Sequence, residues 1–344
     1  MRFGIFDHLE RMPGVPLAQL YAERLELVRL ADEGGITGYH LSEHHGSELC
    51  MAPNQETFLA AVAAVTRNLR LGPLVKCLPL HHPLRVIEDI CMLDNLSGGR
   101  LDYGVGRGAA PSEHVFFGHP WQEARGRFEE ALEIVVRGLR TGKLDTTGCT
   151  YYDLPLIDTA MEPVQAPNPP IWFASKDPTY AGRRGMAAMV PGRVARDDRD
   201  RYLAAWEAGR DQPDRLDGPG QRPLIGNADI VAIAATADDA RAIVGRAQEG
   251  LQRRVLLAHE YDERVIPAGE VEAARGAGPP RVSHALPAGT MEMVRDYYVE
   301  YAEEGTTDYV ALMIPAGDMT HREAMHTLET FCDKILPAVA RVGA

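Results

Sequence analysis

Several things are scarce in this chain, and each shortage removes a class of explanation. Cysteine occurs only at Cys50, Cys77, Cys91, Cys149 and Cys332, widely spaced and with no C-x-x-C pair. That pattern builds neither a disulfide framework nor a zinc cluster, and it suits a reducing compartment, so a cytoplasmic location is expected. No apolar run approaches the ~18 residues a membrane-spanning helix needs, so no membrane partner is expected. The apolar stretch of the opening MRFGIFDHLERMPG is too short for a signal peptide, and acids follow it at once. Basic charge is in deficit: 36 Lys and Arg stand against 49 Asp and Glu, a formal charge of -13. No run is basic enough to follow a phosphodiester backbone, which argues against nucleic acid as a partner. Lysine is confined to Lys76, Lys143, Lys176 and Lys334; the arginine excess reads as genome composition rather than function. No G-x-G-x-x-G loop, heptad pattern or tandem repeat is present, so the chain has no dinucleotide site of its own to offer NAD.

What is present is an alternation of short β-like runs and longer amphipathic ones. RFGIF (Arg2 to Phe6) reads as a strand, followed by a helical stretch with Leu17, Leu20, Leu25, Val28 and Ala31 on one face, stopped by Gly34 and Gly35. GYHLS, LRLGPLVKCL and RLDYGVG are the next strands. Between them lie the helices QETFLAAVAAVT and PLRVIEDICMLDNLSGG, the second opened by Pro83 and closed by a double glycine. The helix QEARGRFEEALEIVVRGLR follows. The second half repeats the unit less cleanly, with strands at Pro170 to Ala174, Met186 to Val190, Ile225 to Ala234 and Asp308 to Ile314. Its helices are Pro178 to Arg184, Asp198 to Arg210, Ala237 to Gln248, Met291 to Glu304 and Arg322 to Val339. Eight such strands with right-handed crossovers favour a closed (β/α)₈ TIM barrel, one α/β domain over residues 1–344. Two insertions break the rhythm. Thr141 to Pro169 looks like a hairpin before strand five. Arg253 to Ala288 is charged and holds Gly-Ala-Gly-Pro-Pro; a loop of that length in a barrel is a candidate mobile lid.

A barrel displays its chemistry where its strands end. Glu43, His44 and His45 follow strand two in GYHLSEHHG, Leu74, Val75 and Lys76 end strand three, Arg107 sits in GRG after strand four, and Ser175 and Lys176 follow strand five. The acid with two histidines has three readings: a metal site, an acid/base group, or a polar loop. Adjacent histidines on an extended chain point apart, and FDHLE on strand one offers only Asp7 and His8, so no metal is expected. Of His81 and His82, one is expected to be structural and neither to bind metal. His44 is left as a base or substrate anchor oriented by a carboxylate, or as a satisfied structural histidine. Arg107 between two glycines suits a phosphate, because its fork binds two oxygens and glycine permits close approach; the plain alternative is a tight turn with a solvated arginine. Ser175 and Thr179 in SKDPT are read either as anion-binding hydroxyls or as ordinary caps. Together with Arg107 on the same rim, they favour a phosphate site.

The stretches LSEHHG, LPLHHPLRVIEDICMLDNLSGGRLDYGVGRG, PNPPIWFAS and AEEGTTDYVALMIPAGDMTHREAMHTLETFCDKILPAV closely resemble the bacterial luciferase-like flavin monooxygenases. The resemblance runs over nearly the whole chain and is weakest in 255–288. It implies a (β/α)₈ barrel that takes up reduced FMN, reacts it with O₂ to a C4a-peroxyflavin, and oxygenates a small organic substrate. It also implies a separate flavin reductase and a homodimer, for which the apolar faces of the Gln55 to Thr66 and Pro83 to Leu96 helices are available. By the same resemblance His44 is the catalytic base or substrate anchor, and Glu43, beside the flavin, is the second catalytic residue. Arg107 and Arg125 serve the phosphate, with Ser175, Thr179 and Lys176. Leu74 and Val75 form a shelf under the flavin ring, at a position where the family often has a cis peptide, and Phe6 lines the substrate side. The light-emitting members carry a reactive cysteine just before the RG arginine; Gly106 stands there in this chain, so light emission is not implied. SKDPT carries fewer hydroxyls than many relatives have. Two other functions stay open: hydride transfer with a deazaflavin coenzyme, as related barrels perform, and a non-catalytic luciferase-like partner subunit.

Overall fold

The computed structural model describes residues 1–218, 220–267, 270–271 and 284–343. Its strands are β1 (Arg2–Asp7), β2 (Gly38–Leu41), β3 (Arg70–Pro73), β4 (Lys76–Cys77), β5 (Tyr103–Gly106), β6 (Lys143–Leu144), β7 (Ile157–Asp158), β8 (Ile171–Ala174), β9 (Ala187–Val190), β10 (Ile225–Ile230), β11 (Ala232–Ile233), β12 (Ala288–Gly289) and β13 (Tyr309–Met313). The helices are α1 (Leu17–Glu33), α2 (Gln55–Val65), α3 (Pro83–Ser97), α4 (Pro111–Phe116), α5 (Ala124–Thr141), α6 (Thr179–Arg183), α7 (Arg196–Ala208), α8 (Ala237–Val265), α9 (Met291–Glu304), α10 (His321–Thr330) and α11 (Leu336–Ala340). None of the described helices is long and apolar enough to cross a membrane.

The main sheet runs β3-β2-β1-β13-β10-β9-β8-β5-β4, and its ladders are parallel. Its two end segments, β3 and β4, are consecutive pieces of one stretch, so the sheet curls round to meet itself as the expected barrel. LRLGPLVKCL, read as one strand, is divided by a cis Leu74–Val75 peptide. Before the break it pairs with β2; after it, with β5. A Leu71–Leu101 bridge ties the seam. The approach there is close: a Cβ on Gly72 would lie 1.5 Å from the Asp102 carbonyl oxygen, so only glycine fits.

The barrel strands are buried on both faces, which is why they read as short apolar runs rather than alternating ones. Inside the barrel His40 bonds the Tyr309 hydroxyl through Nε2 at 2.9 Å and packs 5.2 Å from Trp172. Burial pushes its pKa down to about 4. Outside, Phe3 meets Tyr298 and Phe331 edge-on at 5.3 and 5.0 Å.

Two expectations need correction, and one element was missing from them. The helix from Ala237 does not stop at Gln248; it continues to Val265, so the first part of the Arg253 to Ala288 stretch is helical. Its charges hid a buried face of Leu251, Arg254, Ala258 and Asp262 at helical spacing. Arg254 pins it to the Arg11 carbonyl at 2.7 Å and to Asp318 at 2.8 Å. The Gly-Ala-Gly-Pro-Pro segment, and with it the core of the expected lid, lies outside the described residues. The closing helix, expected unbroken from Arg322 to Val339, contains a π turn at Phe331–Ile335. Pro337 follows, and a proline ring excludes the carbonyl four residues earlier, so the spiral widens there. Finally, α4 was not expected at all. The Thr141 to Pro169 insertion does contain a hairpin, the antiparallel pair β6–β7.

Asp7, at the end of β1, is fully buried and satisfied on both oxygens. Leu9 N–H donates to one at 2.6 Å; Arg24 of α1 and the Tyr39 hydroxyl donate to the other at 2.9 and 2.8 Å. Truncating Arg24 to alanine leaves that carboxylate buried without its cation. A loss of about 3–5 kcal/mol is expected, read as a lower urea midpoint at unchanged slope.

Candidate active site

At the C-terminal ends of the barrel strands lies a cavity of about 680 Å³. It gathers Phe6 from β1, Glu43 and His44 from the loop after β2, and Leu74 and Val75 from the β3–β4 break. It also gathers Arg107 after β5, Arg125 on α5 and Ser175 after β8. Lys176 and Thr179 do not line it: Lys176 is exposed, and Thr179 turns its hydroxyl to Asp177 at 2.9 Å. A broader groove of about 760 Å³ between residues 46–53 and α8 holds none of the candidate residues.

The loop after β2 splits its histidines as an extended chain should. His44 Nδ1 lies 3.3 Å from Glu113 Oε1, and the His45 N–H donates to the same oxygen at 3.0 Å. Glu113 sits on α4, whose start is held by the Asp262 carboxylate accepting the Ser112 N–H at 2.9 Å. When Nδ1 carries the proton toward Glu113, His44 Nε2 is left for the cavity. The ring of His8, 5.7 Å from that of His44, bonds Ser42 Oγ through Nδ1 at 2.7 Å. Burial, and then the neighbouring His44 and His284, hold the His8 pKa well below the usual range, so this imidazole is neutral.

Glu43 is only 3% exposed, and its carboxylate is already engaged. It accepts from His81 Nε2 at 2.6 Å, His45 Nε2 at 2.8 Å and the Cys77 N–H at 2.6 Å. Burial alone would raise its pKa; the two histidine hydrogen bonds and the Lys76 charge outweigh that and hold it well below the usual carboxylate range. A carboxylate so satisfied orders the rim rather than exchanging protons. Glu43, His45 and His81 also form a group whose donor atoms all lie within 4.8 Å of one another, and the contacts of Glu43 with both rings are of hydrogen-bond length. His82 caps α3, its Nδ1 accepting the Leu84 N–H.

Arg107 and Arg125 are exposed on the cavity, and neither guanidinium has an ion pair among the described residues. Two such cations lining one cavity with Leu74, Val75, Phe128, Phe173 and Tyr180 suit a planar ring system carrying a phosphate. Gly106 is fixed by its neighbour: a Cβ there would stand 2.4 Å from Val75 Cγ2, so a cysteine at this position would displace the shelf.

Reading the sequence missed Glu113, His8, Asp177, Phe173 and Tyr180. For Glu113 a signal existed, since APSEHVF places proline at the first position of a helix and an acid in its first turn. Asp177 and the aromatic wall acquire their roles only from the fold.

A parallel barrel with an anion-seeking end and a histidine–carboxylate pair on one rim cavity defines an enzyme of the TIM-barrel class. The chain belongs to the luciferase-like monooxygenases, whose sequence profile matches residues 1–308. It is 33% identical over 354 aligned positions to the uncharacterised protein y4wF of Sinorhizobium fredii, covering 98% of this chain and 97% of that one. It is also 35% identical over 196 positions to the oxygenase component of the flavin-dependent trigonelline monooxygenase of Acinetobacter baylyi, covering 55% and 54% of the two chains. Among solved structures, monooxygenase RslO1 of Streptomyces bottropensis superposes with a TM-score of 0.81 at 26% identity, over 98% of this chain and 99% of that one.

Glu43 gives a pH-dependent signature. Its pKa in the folded chain lies below the ordinary 4.5, so the unfolded state binds the proton more readily. The stability it contributes is complete above that value and is lost as pH falls toward the folded-state pKa. Glu43→Gln should therefore lower the melting temperature at neutral pH and flatten the acid limb of stability below pH 4.5, measured by thermal melts across pH.

Proposed function

We propose that this chain is the oxygenase component of a two-component monooxygenase. It takes up reduced FMN made by a separate reductase, and with O₂ it oxygenates a small organic substrate. The observation that carries this reading is a single cavity lined by Arg107 and Arg125, neither with an ion pair among the described residues, and the His44–Glu113 pair on its rim. Membership of the luciferase-like family and the likeness to an oxygenase component named as such support it.

Bound reduced FMN would supply the oxygen-activating chemistry. Arg107 and Arg125 would hold its phosphate, with Ser175 on the adjoining loop. Leu74 and Val75 would support its ring, and Phe6 would close the substrate side. His44, with Nδ1 bonded to Glu113, would take or give a proton at Nε2. Glu43 would keep the loop that carries His44 in place. We place the protein in the cytoplasm as a homodimer joined through α2 and α3; on α3, Met92 and Leu96 are 49% and 61% exposed.

The test is an anaerobic titration with reduced FMN, followed by mixing with oxygenated buffer and recording near-ultraviolet absorbance. Tight binding and a transient band longer-lived than in free solution are expected. Failure to bind reduced FMN overturns the proposal and directs the search to a deazaflavin. Two substitutions divide the cavity. Arg107→Ala should weaken reduced FMN about tenfold or more, the loss of a charged hydrogen bond. His44→Ala should leave that affinity unchanged while slowing product formation by roughly 10²–10⁴-fold.

A further inference from the structure

The phosphate end of the cavity contains a carboxylate that a site built only for tight anion binding would lack. Asp177 lines the cavity together with Arg107, Arg125 and Ser175. The loop that carries it folds around its own side chain. Asp177 Oδ2 accepts the Thr179 hydroxyl at 2.9 Å, Oδ1 accepts the Thr179 N–H at 3.2 Å, and the Asp177 N–H donates to Ser175 Oγ at 3.2 Å. Of the two hydroxyls that the sequence offers to a phosphate, Thr179 thus donates to Asp177, while Ser175 accepts from the Asp177 N–H. The Thr179 hydrogen bonds also hold its pKa below the usual carboxylate range, so it is charged across the working pH range.

Its charge is poorly compensated. Arg201 Nη1 lies 3.0 Å from Asp177 Oδ1, but the same guanidinium also serves Asp197 at 3.0 Å and Asp198 at 2.7 Å. One cation is shared among three carboxylates, so the cluster beside the phosphate end is net negative.

We infer that Asp177 sets the affinity for the flavin phosphate by opposing it with its own charge, so that the flavin exchanges instead of remaining as a resident group. This rests on the reading of the cavity as an FMN site. A chain fed by a separate reductase has to accept a reduced flavin and release the oxidised one, and a carboxylate inside the phosphate end makes that release easier.

The experiment is a fluorescence titration of the full chain with FMN and, separately, with riboflavin, which has the same ring and no phosphate. Asp177→Asn removes the charge at nearly constant shape on a side chain that is 62% exposed, so the fold is expected to survive. Asp177→Ser serves as a second variant. Both should bind FMN roughly threefold to tenfold more tightly at low ionic strength, an advantage that shrinks as salt screens it. Riboflavin affinity should not change. Arg201→Ala should weaken FMN in the wild-type background, and by less once Asp177 is asparagine. Unchanged or weaker FMN binding by both Asp177 variants overturns the inference, as does an equal gain for riboflavin. A wild-type chain that binds riboflavin as well as FMN contradicts the phosphate reading of the cavity itself, and the role of Asp177 with it.

Discussion

The rim of this barrel is organised around one buried carboxylate. Glu43 ties its own loop, through His45, to a stretch distant in sequence, where it holds strand β4 through the Cys77 N–H and the turn before α3 through His81. A buried anion is tolerable only if its lone pairs are filled, and here several donors do so while Lys76 adds its charge. The consequence is geometric. With His45 turned inward to Glu43, the adjacent His44 is turned the other way, toward Glu113 and the cavity. The strand-end sequence Glu-His-His is a tether and a working group side by side.

Strand order then separates the two ends of the cavity. In the sheet β1 and β2 lie next to each other, while β5 and β8 are neighbours elsewhere round the barrel. Loops after the first pair bring His8, Ser42 and His44; loops after the second bring Arg107, Ser175 and Asp177. The β3–β4 break lies between the two arcs and supplies the apolar shelf of Leu74 and Val75.

Much of this was legible in the sequence. Strands buried on both faces leave short apolar runs, and the rule that barrel chemistry sits at strand ends was enough to bring Glu43, His44, Arg107 and Ser175 to one rim. The resemblance to a known family added Arg125 and Phe6, and both line the cavity. What escaped was whatever depends on contact rather than pattern. The far half of α8 was illegible because two of its buried positions, Arg254 and Asp262, are charged residues that make sense only against Arg11, Asp318 and Ser112. Six residues of α4 are too few to show a period, so Glu113 went unrecognised as the partner of His44. Lys176 and Thr179 stood beside the right loop, but the turn around Asp177 directs both away from the cavity.

The most direct measurement is a crystal structure of the chain with FMN bound. The phosphate is expected within hydrogen-bonding distance of Arg107 and Arg125, with the ring against Leu74 and Val75 and its reactive edge facing His44. A flavin seated in the groove between residues 46–53 and α8, or a phosphate that leaves both arginines in solvent, would contradict the assignment of the cavity.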